Sequence, residues 1–185
     1  MNPKLFMLLI GCKPKGRHTE QHDIYFGIAP SMKALIPQLT AFWPEAEGKL
    51  HIDAYREVTE VNGFAVSVVR AAEKVNNDAQ LFFINLGGYK KDEFEEFHYK
   101  MIIAATDKTK AIQQAKQTAF YQHTGFEGAP SHIDDKYGVD VDDVYEIEEI
   151  LSPDIKQEWK ILIQKSDKVI KDELHLGYFK LDSFT

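Results

Sequence analysis

The feature that most constrains this chain is an internal repeat. Leu5-Phe-Met-Leu-Leu-Ile-Gly11 returns, altered, as Leu81-Phe-Phe-Ile-Asn-Leu-Gly87. Setting Lys4 on Gln80 carries the match without a gap through Lys15/Lys91, Glu20/Glu96, His22/His98, Ala29/Ala105, Ile36/Ile112 and Gln38/Gln114. After a longer loop in the second half the register moves, and His51-Ile-Asp53 falls on His132-Ile-Asp134. Self-similarity at a fixed spacing is the mark of a duplicated structural unit. The expected organisation is a first copy over 1–75, a second over 76–151, and a C-terminal appendage over 152–185 that packs on them. Units of about 70 residues are marginal alone, so the copies are expected to share burial.

Periodicity fills in the copies. Residues 4–10 are a continuous apolar run ending at Gly11, which suits a strand buried on both faces. In residues 22–29, alternation sets Ile24, Phe26 and Ile28 on one face of a second strand. Ser31 and its counterpart Asp107 read as helix N-caps. Pro37 should shorten or kink the first helix, and Trp43-Pro44 should end it. Leu50 to Tyr55 alternates as a third strand, and Val61-Asn-Gly-Phe64 is a hairpin signal, because Asn-Gly accepts the positive φ of a type I′ turn. Asp142-Asp143 stands in for that turn in the second copy. The predicted fold is therefore α+β: two tandem ββαββ repeats with a mixed or antiparallel sheet and helices on one face. Ser152-Pro153 predicts a C-terminal helix carrying Ile155, Trp159, Leu162 and Ile163 as a stripe, and Leu174, Leu176 and Tyr178 predict a last strand.

Charge narrows the partners. The 185-residue chain has a net charge of −7, with acidic residues thickened between Asp134 and Glu149, which argues against nucleic acid or an anionic membrane. The acidic stretch lacks the glycine and terminal glutamate of a calcium loop. The apolar start is too short to span a bilayer and has no cleavage site. One cysteine, Cys12, allows no intrachain disulfide, and the simpler home is a reducing cytoplasm. Its counterpart is Gly88, and no fixed base accompanies it.

Glu20-x-His22 and His51-x-Asp53 each place two groups on one face of a strand. If their strands adjoin, two imidazoles and two carboxylates converge, a set that can bind a divalent metal or run acid-base chemistry. Glu96, His98, His132 and Asp134 are the second copy's equivalents. The bland alternative is a structural network in which these groups bond one another at strand ends. Lys13, Lys15 and Arg17 form a basic turn that could touch an anion. The turn departs from the phosphate-binding G-x-x-x-x-G-K-[ST] loop at Arg17 and His18, and a strand rather than a helix is expected next. His18, His123 and His175 stand alone.

Gly11-x-x-Pro14-x-Gly16, Glu20-Gln-His-Asp-x-x-Phe26-Gly-Ile28, Phe42-Trp43 and His51-Ile-Asp-Ala-x-Arg-Glu-Val58 resemble the bacterial family catalogued as domain of unknown function 1543. The resemblance covers the first copy. The other copy resembles a diverged repeat of the same domain, in which Asp23, Phe26 and Gly27 become Tyr99, Ile102 and Ile103. The resemblance implies no activity, cofactor or substrate. The leading functional expectation is a non-catalytic cytoplasmic binding or interaction protein with a site between the two repeats, Asp23 included among its candidate residues. A protein partner follows from it, and a third reading is a homodimer made through an exposed sheet edge or the tail helix. The alternative is a metal-dependent hydrolase using the paired Glu-x-His and His-x-Asp groups. No cofactor is identifiable beyond a divalent metal, and neither reading decides whether the protein is an enzyme.

Overall fold

A computed structural model of the chain describes residues 2–89, 92–118, 139–167 and 171–184, with the backbone alone at 139 and 140. It is mixed α+β with few helices, and every described strand pairing is antiparallel. The chain divides into two compact units, one of Met1–Asn76 with Leu151–Thr185 and one of Asn77–Ile150.

In the first unit, β1 (Lys4–Cys12) is the apolar run read from the sequence, and it lies between β2 (Gln21–Ala29) and β3 (His51–Glu57). Helix α1 (Met32–Phe42) starts at Ser31, whose hydroxyl accepts the Ala34 N–H at 3.4 Å. It continues through Pro37 and ends at Trp43. Leu35 and Leu39 are fully buried among Leu8, Ile10, Tyr25 and Ile52, each burial being worth roughly 1.5–3 kcal/mol. Gly27 makes the seat for the helix, because a Cβ there would lie 2.8 Å from Leu35 Cδ2. The faces of β1 therefore differ in use. Leu8, Ile10 and Cys12 meet α1, while Gly11 faces the other way.

The hairpin of β4 (Glu60–Val61) and β5 (Phe64–Arg70) turns at Asn62 and Gly63, both with positive φ, as the sequence predicts. The C-terminal stretch departs from prediction. The α-helix covers Pro153–Glu158, and Trp159–Lys165 is β9, paired with β5 along its whole length. Ile161 and Ile163 are buried two residues apart, so the stripe read at helical spacing has a strand period over its second half. β10 (His175–Lys180) is the predicted last strand and forms the edge of the order β10-β3-β1-β2.

In the second unit, β6 (Gln80–Tyr89) lies between β7 (Glu96–Ala105) and β8 (Val139–Glu146). Helix α2 (Lys108–Lys116) is capped by Asp107, whose carboxylate accepts the Lys110 N–H at 2.9 Å. Ala111 and Ala115 pack it against Phe82, Ile84 and Leu86. The second copy's predicted fourth strand is not formed among the described residues. Asp142-Asp143 offers no positive-φ turn, so β8 runs straight through it, and Ile147–Ile150 is helical.

Candidate metal centre

Glu20, His22, His51 and Asp53 come together, although the strands that carry the histidines are not neighbours. His22 on β2 and His51 on β3 both stand opposite Gly11 on the strand between them. Strands two places apart are separated by about 10 Å, a gap that a side chain on β1 would fill. Gly11 leaves it open: a Cβ there would lie 2.6 Å from His51 Nε2, 2.8 Å from Asp53 Oδ2 and 3.0 Å from His22 Cδ2.

A bulge completes the set. Ile10 and Leu9 are consecutive on β1 but pair with Ile52 and Ala54, so Asp53 is the extra residue on β3 and is turned toward the histidines. His22 Nε2 lies 3.2 Å from Asp53 Oδ2 and 3.8 Å from Glu20 Oε2. His51 Nε2 lies 3.1 Å from Glu20 Oε1 and 3.4 Å from Asp53 Oδ2. The cluster is graded in exposure. The His51 side chain is 4% exposed, Asp53 25%, and His22 and Glu20 about two fifths.

Those distances fall within ion-pair range, yet His51 Nε2 and Asp53 Oδ2 are buried without a hydrogen-bond partner among the described residues. Proximity and alignment disagree here, and alignment decides, because a hydrogen bond weakens steeply once the N–H turns away from its acceptor. The atoms are close but not aimed at one another. Glu20, His22 and His51 each place one atom of ligand type within 4.8 Å of the others, and Asp53 contacts both histidines.

A second bulge holds the outer side of His51. Leu176 and Phe179 on β10 pair with Ala54 and Ile52, so Gly177 and Tyr178 together face the single residue Asp53. Gly177 takes φ +141°, a region that favours glycine. Tyr178 is thereby laid on His51, with ring centroids 4.4 Å apart. His175 stacks on Tyr55 at the same separation.

The second unit repeats part of the arrangement. His98 stands opposite Gly87, and its Nε2 is 3.3 Å from Asp142 Oδ2 and 4.0 Å from Glu96 Oε2. A Cβ on Gly87 would collide with the Asp142 carboxylate. The β6–β8 ladder shifts between Asn85 and Leu86, which makes Asp142 its bulged residue and sets Asp140 opposite Gly87. In the ladder, then, Asp140 holds the place of His51 and Asp142 that of Asp53. The sequence match assigns those places to His132 and Asp134, which lie outside the described residues. Asp142 escapes a sequence reading because the longer loop of the second half leaves the match to be set by the more identical triplet His132-Ile-Asp134.

The remaining candidates are elsewhere. Asp23, one residue beyond His22, lies on the opposite face of β2 and accepts the Ile24 N–H at 2.7 Å. Lys13, Lys15 and Arg17 are exposed in the β1–β2 turn, closed by Arg17 N–H to Pro14 O at 3.2 Å. Cys12 is buried, and desolvation raises its thiol pKa with help from the charges of Glu20 and Glu45. That environment suits a core residue rather than a nucleophile.

Residues 17–68 match the family described as Domain of Unknown Function (DUF1543), and they include all four residues of the first cluster. Among solved structures, "Crystal structure of a protein Il1583 from Idiomarina loihiensis" is similar, with 18% identity, a TM-score of 0.63 and coverage of 97% of this chain and 98% of that one. At that identity the likeness is one of fold alone. No curated protein matches the chain. Among the described residues no helix is long and apolar enough to cross a membrane.

Proposed function

We propose that the cluster over Gly11 is a divalent-metal site and that the protein acts through the ion held there. The observation that supports this reading is the pair of orphaned atoms, His51 Nε2 and Asp53 Oδ2, buried within 3.4 Å of each other. A structural network would aim the N–H at an oxygen, since a buried polar group without a partner costs about 1–3 kcal/mol. An ion instead needs lone pairs that face a common centre. Ligands at about 2.1 Å in tetrahedral array stand roughly 3.4 Å apart; Asp53 Oδ2 lies 3.2 Å from His22 Nε2 and 3.4 Å from His51 Nε2, and Glu20 Oε1 lies 3.1 Å from His51 Nε2. Two imidazoles with carboxylates suit zinc, iron(II) or cobalt(II) better than calcium.

His22, His51 and Asp53 sit on strands and are the fixed ligands, whereas Glu20 belongs to the loop entering β2. Glu20 closes the fourth position or leaves it to water, and in the second case serves as the base that activates that water. Metal-dependent hydrolysis is thus the reaction class that the donor set favours. The cluster is complete within the first unit and needs no groove shared by the two copies.

The test is titration of metal-free protein with Zn(II) against a chromophoric chelator, in a His98→Ala background that sets the second cluster aside. One ion per chain is expected, and His51→Ala and His22→Ala each weaken it about 100-fold or more. A chain that takes up no ion, or variants that bind as the parent does, would remove the reading.

A second reading is favoured by β10. It is an edge strand on which Leu174, Leu176 and Tyr178 are more than half exposed along the strand and its approach, and such an edge can pair with another chain. Light scattering on the purified protein tests for a dimer, and Leu176→Lys is expected to abolish any dimer found. The unpaired buried thiol suits a reducing, cytoplasmic setting.

A further inference from the structure

Four residues stand in one row across the sheet of the first unit. Lys180 on β10 is opposite His51, His51 is opposite Gly11, and Gly11 is opposite His22. Directly opposed residues of an antiparallel sheet project from the same face with Cβ atoms about 5 Å apart. Lys180 therefore flanks His51 on the side away from Gly11. A depression of about 420 Å³ opens at this end of the row, bounded by Lys49, Leu50, Tyr178, Lys180 and Asp182. It shares a wall with the cluster, because Tyr178 lies on the His51 ring.

The depression's charge differs from that of the chain. The protein carries a net −7. Among the described residues, neither Lys49 nor Lys180 forms an ion pair, whereas Asp182 on the same rim is engaged in an interaction of its own. Lys49, Lys180 and Tyr178 thus border, with Leu50, a volume within the range of small-molecule sites.

We infer that this depression is an anion subsite of the metal centre. It takes the phosphate or carboxylate group of a small ligand, and the rest of that ligand passes Tyr178 toward the ion over Gly11. The two ammonium groups meet the oxyanion as charge-assisted donors. Tyr178 offers its ring edge to the carbon skeleton and its hydroxyl to a polar substituent. The link to an ion rests on the metal reading above. The contact between oxyanion and lysines does not.

The experiment uses the full chain with inorganic phosphate as probe, followed by amide shifts in NMR on metal-free protein and by the visible d–d band on Co(II)-loaded protein. Phosphate is expected to shift amides at Lys49, Leu50 and Tyr178 to Leu181, and to perturb the Co(II) band. Lys49→Ala/Lys180→Ala is expected to weaken phosphate about tenfold or more while Co(II) affinity stays within about twofold, since neither lysine is a ligand. Acetate that competes with phosphate marks a subsite for carboxylates as well, and acetate that does not compete marks one for phosphates. Binding of phosphate at the lysines without Co(II) uptake keeps the anion site and removes the metal reading. Uptake of Co(II) with phosphate binding that is absent, or unchanged in the double variant, overturns the subsite.

Discussion

A methyl group on Gly11 would sit 2.6 Å from His51 Nε2 and 2.8 Å from Asp53 Oδ2, directly in the gap where the side chains of the cluster meet. Gly11→Ala is therefore a substitution that separates site from fold. The strand keeps its ladder, the displaced atoms are the ends of two side chains, and thermal stability is expected to change by less than about 1 kcal/mol. Zn(II) affinity is expected to fall 10–100-fold, a loss typical of disturbed ligand geometry. Retained affinity would mean that the ligands converge somewhere other than over Gly11. Tyr25 gives a second test at this scale. Burial pushes its phenol from 10.0 up to about 12, and its hydroxyl donates to Gln38 Oε1 at 2.9 Å. The folded state thus favours the protonated form. The stability linked to that preference is complete below pH 10, where the unfolded chain also keeps its proton, and is lost as pH rises from 10 toward 12. Alkaline titration of the melting temperature should show this loss, amounting to about 2–3 kcal/mol, and Tyr25→Phe should flatten it.

At the scale of elements, what was legible in the sequence is what local chemistry controls. The apolar run ending at Gly11, the caps at Ser31 and Asp107 and the Asn62-Gly63 turn each rest on contacts within a few residues, and each forms where expected. The pairing of Glu20 and His22 with His51 and Asp53 was legible as two doublets, but their meeting across an intervening glycine was not, since it depends on strand order. The bulges at Asp53 and Gly177 were equally hidden, because a bulge is a property of two strands in register. β9 reads as helix because Ile155, Trp159, Leu162 and Ile163 satisfy a helical period while Ile161 and Ile163 satisfy a strand period, and the choice is made by β5, the partner that pairs with it. The approach to β10 offers a prediction of its own. The Asp172 carboxylate, 1% exposed, accepts the Thr59 N–H at 3.0 Å and hydroxyl at 2.6 Å and lies 3.8 Å from Arg56 Nη1. Asp172→Ala leaves a half-buried guanidinium and a backbone N–H without that partner, and about 3 kcal/mol of stability is expected to go. Chemical denaturation measures it, and a change under about 1 kcal/mol would show that water replaces the carboxylate.

At the scale of the molecule, the first unit is discontinuous in sequence: its sheets are finished by strands that follow the whole of the second unit. β9 pairs seven residues of β5, Phe64 to Arg70, and β10 covers β3 beside His51 and Asp53. Arg70 lies 4.0 Å over the Trp159 ring and pairs with Glu158 at 2.6 Å, fastening the point where β9 begins. Without residues 151–185 the first unit would lose the buried side chains of Ile155, Ile161 and Ile163 together with both outer strands. The second unit keeps its whole described sheet, β7-β6-β8, because none of it is drawn from the C-terminal stretch. Structure is lost in cooperative blocks that follow such pairings. In a chain ending at Ile150, amide exchange is therefore expected to be fast across β1 to β5 and slow across β6 to β8, with Zn(II) uptake at His22 and His51 lost along with the protection of β3. Slow exchange in β1 to β3 of that shortened chain would show that the ββαβ segment holds itself, and the C-terminal strands would then be a cover for the cluster over Gly11 rather than a condition of its folding.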